Sequence, residues 1–152
     1  MIKVTILLCE TLSLFELGCA TELFALPRPE FKNWYQTHTV TLGRQTLEGM
    51  GNTVFQCPAV EQLPATDLLV IPSFPVSIER IEPRLASEVR RHYDQGGRII
   101  SFCSGSFLLA ALGLLNQRTA ITHWRYTEQF RQRFPHITYR DDSLYWYDGR
   151  IG

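Results

Sequence analysis

The stretch Arg98-Ile99-Ile100-Ser101-Phe102-Cys103-Ser104-Gly105-Ser106-Phe107 constrains the fold most, because it passes from a strand pattern to a helix pattern with almost no room for a loop. Gly96-Gly97 closes the helical pattern before it, and Ile99, Ile100 and Phe102 form a short apolar run of β-formers, as in a strand covered on both faces. From Phe107 to Leu112 the residues are helix-forming and apolar all round. Such a joint needs a tight turn, and Ser104, Gly105 and Ser106 are small enough to let it close. Its plan is that of the nucleophile elbow of hydrolases, although the G-x-S-x-G signature is absent. Cys103 then stands at a helix start, where free N–H groups and the dipole favour a thiolate, and its pKa is expected below the free value of about 8.5. The alternative is a buried structural cysteine at a strand end, since cysteine is among the most buried residue types. Local sequence leaves both open.

The remaining chain alternates strands with helices. Lys3–Leu8 reads as a first buried strand, followed by a helix after Thr11-Leu12-Ser13, with Ser13 and Glu16 at capping-box spacing and Leu14, Leu17, Leu23 and Phe24 as its apolar positions. Pro27-Arg28-Pro29 stops that helix. Trp34–Leu42 and Thr53-Val54-Phe55 read as strands, and Asp67-Leu68-Leu69-Val70-Ile71 is the clearest buried strand of all. After Pro72-Ser73-Phe74-Pro75, Pro83 suits a first helical turn, and Leu85, Val89 and Tyr93 recur at the spacing of a core-facing helix stripe. Arg84, Arg90 and Arg91, interrupted by Glu88 and Asp94, are expected on its solvated outer face. Thr119–Thr122 reads as a short strand ending at His123-Trp124. Tyr126, Phe130 and Phe134 mark another helix, and Ile137–Tyr139 with Leu144–Tyr147 are expected to form a terminal strand pair. The predicted class is α/β, a doubly wound, largely parallel sheet with helices on both faces. Ligands of such sheets collect at the carboxyl ends of the strands, where Cys103, His123, the Ser73 loop and the Cys9–Glu16 segment are all expected.

Fifteen Lys and Arg balance fifteen Asp and Glu, so no net field draws the chain to nucleic acid or an anionic membrane. Cys9, Cys19, Cys57 and Cys103 form no C-x-x-C pair and no His lies at zinc-finger spacing, so neither a metal site, a disulfide framework nor a cofactor is indicated. Free thiols fit a cytoplasmic address. The apolar run Val4–Leu8 is too short for a signal peptide, and nothing approaches the length of a membrane span.

A cysteine nucleophile needs a base within hydrogen-bond reach, an acid to tune or orient it, and N–H donors for an oxyanion. His123 ends what is expected to be the strand next to that of Cys103, one strand–helix–strand step away. A lone His before Trp is more often packing or surface than catalysis. Glu16 lies in the first turn of the first helix on the same edge, and serves either as the capping partner of Ser13 or as a carboxylate beside Cys103.

The segments Phe102-Cys103-Ser104-Gly105-Ser106, Leu112-Gly113-Leu114-Leu115 and Thr122-His123-Trp124-Arg125-Tyr126 resemble the PfpI-like superfamily, also described as class I glutamine amidotransferase-like. Together with Leu12–Gly18, Glu22-Leu23-Phe24 and Leu26–Pro29, they look most like the N-terminal domain of AraC-type transcriptional regulators, with isonitrile hydratases as relatives. The resemblance implies a catalytic-type trio of Cys103, Glu16 and His123, with Ser104 N–H as one oxyanion donor. The second donor normally comes from a glycine; Ser73 and Phe74 stand there, followed by Pro75, which has no N–H. Ser104, Ser73, Phe74 and Trp124 are the expected ligand contacts. The resemblance further implies a single domain over residues 1–152 that lacks its last strand and covering helix, and DNA contact only through a C-terminal domain beyond Gly152; the sheet face so uncovered would expose apolar surface, which favours a homodimer. The favoured function is small-molecule sensing and dimerisation in such a regulator. The alternative is a cysteine-dependent hydratase or hydrolase of a small electrophile, with redox sensing at Cys103 as a third possibility.

Overall fold

The structure is a computed structural model that describes residues 1–152. Five parallel strands form the central sheet in the order β5-β2-β1-β6-β7, with β1 at Lys3–Leu7, β2 at Gln36–Leu42, β5 at Ala59–Val60, β6 at Leu68–Ile71 and β7 at Arg98–Ser101. Four of these, β1, β2, β6 and β7, run close to their predicted spans; β5 and the short strand β3 (Thr46–Glu48) carry too little apolar pattern to be read. Strand β3 pairs antiparallel with β4 (Val54–Gln56), and this hairpin docks on the first loop through a bridge between Leu12 and Gly49.

Alternation along the strands builds two cores, one on each face of the sheet. Val4, Ile6, Leu68 and Val70 point to the face covered by α1 (Leu14–Phe24), where they meet Ala20 and Phe24. Leu7, Leu69, Ile71 and Ile99 point to the other face, against α2 (Pro83–Asp94), α3 (Ser106–Ala111) and α4 (Thr127–Arg133). The doubly wound parallel arrangement with helices on both faces is therefore present. On that second face Phe107 of α3 is wedged edge-on against Tyr126, Phe130 and Phe134, with ring centroids 6.2, 5.1 and 5.9 Å away, which locks α4 and the segment before it onto α3.

Four local expectations are corrected. Leu14 and Leu23 are exposed on α1, because Leu17, Ala20 and Phe24 already fill its inner arc. Glu88 is not on a solvated face: it is 6% exposed, accepts from Leu63 N–H at 2.7 Å, and pairs with Arg91 at 2.6 Å. The segment Thr119–Ala120 (β8) does not extend the main sheet; it pairs in parallel with β9 (Thr138–Tyr139) as a separate ribbon. Leu144–Tyr147 forms no strand, and Leu144 is 99% exposed. The free edge of β7 is instead taken by the chain terminus: Ile151 bridges Ile99 in parallel, and Ser101 N–H donates to Gly152 C=O at 2.7 Å.

Candidate active site

The chain switches direction across the sheet between β1 and β6, and the loops leaving β1, β6 and β7 meet above that crevice. Cys103 sits two residues past the end of β7 with φ 51°, a left-handed backbone that costs a non-glycine residue about 1–3 kcal/mol. It opens a single 3-10 turn, Cys103–Gly105, from which α3 begins at Ser106. The turn can be this tight because a Cβ on Gly105 would lie 2.6 Å from the Ile71 carbonyl oxygen; only glycine lets the elbow press against β6. The predicted strand-to-helix elbow is thus present.

Glu16, in the first turn of α1, brings its carboxylate near enough to the Cys103 thiol for each group to bear on the other's titration. The capping box does not form. Ser13 Oγ donates directly to the Glu16 carboxylate, while Ser13 N–H donates to Ser73 Oγ at 3.3 Å, so the hydroxyl aims the acid instead of closing the helix end. Burial alone would raise the Glu16 pKa. Hydrogen bonds from Ser13 and Cys103 outweigh it and hold the carboxyl below its usual range, with a smaller electrostatic contribution from His123.

The Cys103 thiol responds in the opposite sense. Burial, then the hydrogen bond and charge of Glu16, push it up to about 11, although the Ser104 N–H and hydroxyl act to lower it. The expected thiolate is therefore corrected to a protonated thiol. A six-residue helix introduced by a 3-10 turn offers little dipole at the sulfur, whereas desolvation and a neighbouring carboxylate both disfavour a second negative charge. The two shifts act in one direction, favouring the proton on sulfur over the Glu16 carboxylate.

Ser73 and Phe74 are buried in the loop after β6. Phe74 N–H donates to Ser104 Oγ at 3.2 Å, so one of the two N–H groups at the place expected to supply a second oxyanion donor, the other being that of Ser73, is satisfied within the protein. That loop is held by Arg133 on α4, whose guanidinium donates to the Val76 and Ile78 carbonyls. His123 precedes the short 3-10 turn Trp124–Tyr126, and its Nδ1 accepts from Arg125 N–H at 3.2 Å. Its ring lies 5.3 Å from that of Trp124, which is 79% exposed. Cys103, Glu16, Ser104 and Phe74 are brought into one connected cluster; His123 reaches it through the field at Glu16, and Trp124 stands outside the hydrogen-bonded set. Sequence reasoning missed Ser106 and Thr122, whose hydroxyls converge on the Cys103 carbonyl. The only signal was a hydroxyl residue beside each motif, which by itself reads as turn chemistry.

The sequence profile of the DJ-1/PfpI family matches residues 2–151. The chain is 29% identical over 140 residues to an uncharacterized protein in the cpoL 5' region of Streptomyces lividans, covering 88% of this chain and 95% of that protein. It is 28% identical over 138 residues to the HTH-type transcriptional regulator GbdR of Pseudomonas aeruginosa, covering 86% of this chain but 36% of the regulator. Among solved structures, an AraC family transcriptional regulator from Pseudomonas putida superposes with a TM-score of 0.80 at 15% identity, covering 99% of this chain and 82% of the other.

Proposed function

Because the chain belongs to the DJ-1/PfpI family, we propose that it forms the small-molecule-sensing and dimerising part of an AraC-type transcriptional regulator, with the ligand seated at Cys103. Similarity to regulators of which this chain matches about a third supports that placement. The observation that carries the preference for sensing over turnover is the bond from Phe74 N–H to Ser104 Oγ. Loss of one oxyanion donor costs about 3 kcal/mol of transition-state stabilisation in a well-studied hydrolase, so a donor already satisfied internally weakens catalysis more than binding. Ser104, Ser73, Phe74 and the exposed Trp124 are the proposed ligand contacts, and DNA contact in such a regulator is assigned to a part outside residues 1–152.

The outer arc of α1 supplies the proposed homodimer surface. Phe15 is 78% exposed, and Leu14 and Leu23 on the same helix, with Met50 and Val54 of the β3–β4 hairpin, are also exposed and leave apolar area uncovered. In a thermal-shift survey of small metabolites with residues 1–152, a ligand present at a hundred times its Kd is expected to add about 2.7 kcal/mol of stability. That shift should be lost or reduced in Cys103→Ser and Trp124→Ala, and the domain alone should not bind duplex DNA. Tight, salt-sensitive binding of an operator by this domain would overturn the proposal.

The strained elbow favours a second reading, a cysteine-dependent hydratase or hydrolase. There Glu16 takes the thiol proton as sulfur attacks, and Ser104 N–H holds the developing charge. Turnover of an isonitrile or aldehyde, abolished in Cys103→Ala and strongly reduced in Glu16→Gln, would establish it in place of sensing.

A further inference from the structure

The backbone of Cys103 is held in a conformation it would not adopt unaided, and the groups that hold it are hydroxyls of α3 and of the segment before His123. Ser106 Oγ donates toward Thr122 Oγ1 at 2.9 Å, and Thr122 Oγ1 donates to the Cys103 carbonyl oxygen at 3.0 Å. Ser106 Oγ also lies 3.2 Å from that carbonyl. Ser106 is buried, and Thr122 is half-buried at the end of the segment leading to His123. Thr122 is fixed in turn: its own carbonyl is 3.5 Å from the Tyr139 hydroxyl, which lies 2.8 Å from Thr127 Oγ1 at the start of α4. A non-glycine residue with φ 51° persists only where its surroundings over-determine it. Two hydroxyls in series on one carbonyl, backed by a fixed tyrosine, meet that condition.

We infer that Thr122 and Ser106 are positioning residues: their hydroxyls latch the Cys103 carbonyl, hold the elbow in its left-handed turn, and so keep the sulfur against Glu16. One side chain thereby sets the geometry of two site segments, the elbow and the residue before His123. A hydroxyl is needed at 122, because only it can accept from Ser106 and donate to the carbonyl at once. Valine fills the same space but does neither.

This inference rests on Cys103 being the reactive centre, but its test needs no knowledge of a ligand. The rate of Cys103 carbamidomethylation by iodoacetamide is followed from neutral to strongly alkaline pH by mass spectrometry of its peptide, in wild type, Thr122→Val, Thr122→Ser, Ser106→Ala and Glu16→Gln. The charged groups bearing on the sulfur are Glu16 from α1 and, through Glu16, His123 from the segment after β8. With the latch lost, the elbow relaxes and the sulfur moves away from the carboxylate. Thr122→Val should then shift the midpoint downward by about half a pH unit or more, roughly three-fold in thiolate population, in the direction of Glu16→Gln. Thr122→Ser should restore the wild-type profile, and Ser106→Ala should fall between the two. A merely structural Thr122 would lower the melting temperature and leave the midpoint in place, and that result overturns the inference. If Thr122→Val does not fold, Ser106→Ala decides it on the same criterion. Failure of the ligand survey with a shifted midpoint would discredit the sensing proposal and leave the latch intact.

Discussion

Cys9 and Cys103 occupy equivalent places, each two residues past the end of a parallel strand in the same sheet, yet their chemistry differs. Cys9 follows β1 with the left-handed residue of its loop two positions later, at Thr11 (φ 57°), and is sealed in the same core as Leu7 and Val40, where burial alone pushes its thiol up to about 12. Cys103 follows β7 directly into a left-handed turn, is half-buried, and has its titration set by Glu16 and Ser104 as well as by burial. Position at a carboxyl strand end is therefore not enough to make a site. What separates the two is where the left-handed turn falls: at the cysteine itself in the loop after β7, and two residues beyond it, at Thr11, in the loop after β1, where the sulfur stays packed in the core.

The widest separation should appear in reactivity. Under native conditions iodoacetamide is expected to modify Cys103 at least about a hundred times faster than Cys9, since alkylation follows thiolate character and exposure. Equal rates by peptide mass spectrometry would remove the distinction. A smaller effect isolates the carboxylate. Glu16→Gln removes a charge that raises the Cys103 pKa, so the alkylation midpoint should fall from about 11 toward the ordinary 9.0, about ten-fold in thiolate for each unit moved. Burial remains, so it should not reach 9.0; the Cys9 rate should not change.

The smallest effect is on stability at alkaline pH. Both thiols have folded pKa values above the ordinary 9.0, so each favours the fold fully below that pH. The contribution is lost as pH rises through 9 and on to about 11 for Cys103 and about 12 for Cys9. The slope is at most about 1.4 kcal/mol per pH unit for each thiol. Urea midpoints measured over this range should decline, and Cys103→Ser should remove part of the decline between 9 and 11. A pH-independent midpoint would mean that neither sulfur is held protonated by the fold.

Much of this arrangement was legible in the residues. The apolar runs of β1, β6 and β7 and the small residues Ser104-Gly105-Ser106 point to the elbow because strand pairing and a tight turn are governed by neighbours in sequence. Glu88 shows where such reading fails: among arginines it looks solvated, but Leu63, 25 residues earlier, supplies the N–H that buries it. The terminal strand pair failed for a related reason. The edge of β7 is an array of unpaired backbone groups that takes residues 150–152, and local alternation does not reveal which segment will reach it.

Local patterning thus determined the α/β class, the position of the elbow and the identity of its sulfur, since these follow from side-chain periodicity and the steric demands of adjacent residues. The tertiary structure alone decided the protonation of that sulfur. Its pKa depends on desolvation by packed neighbours and on a carboxylate 87 positions away in the chain, on α1. It also decided that Phe74 N–H is satisfied by Ser104 and that Thr122 reaches the Cys103 carbonyl. Hydrogen bonds between loops depend on where folding brings their atoms, to within a few tenths of an ångström, and no periodicity in the chain encodes that distance.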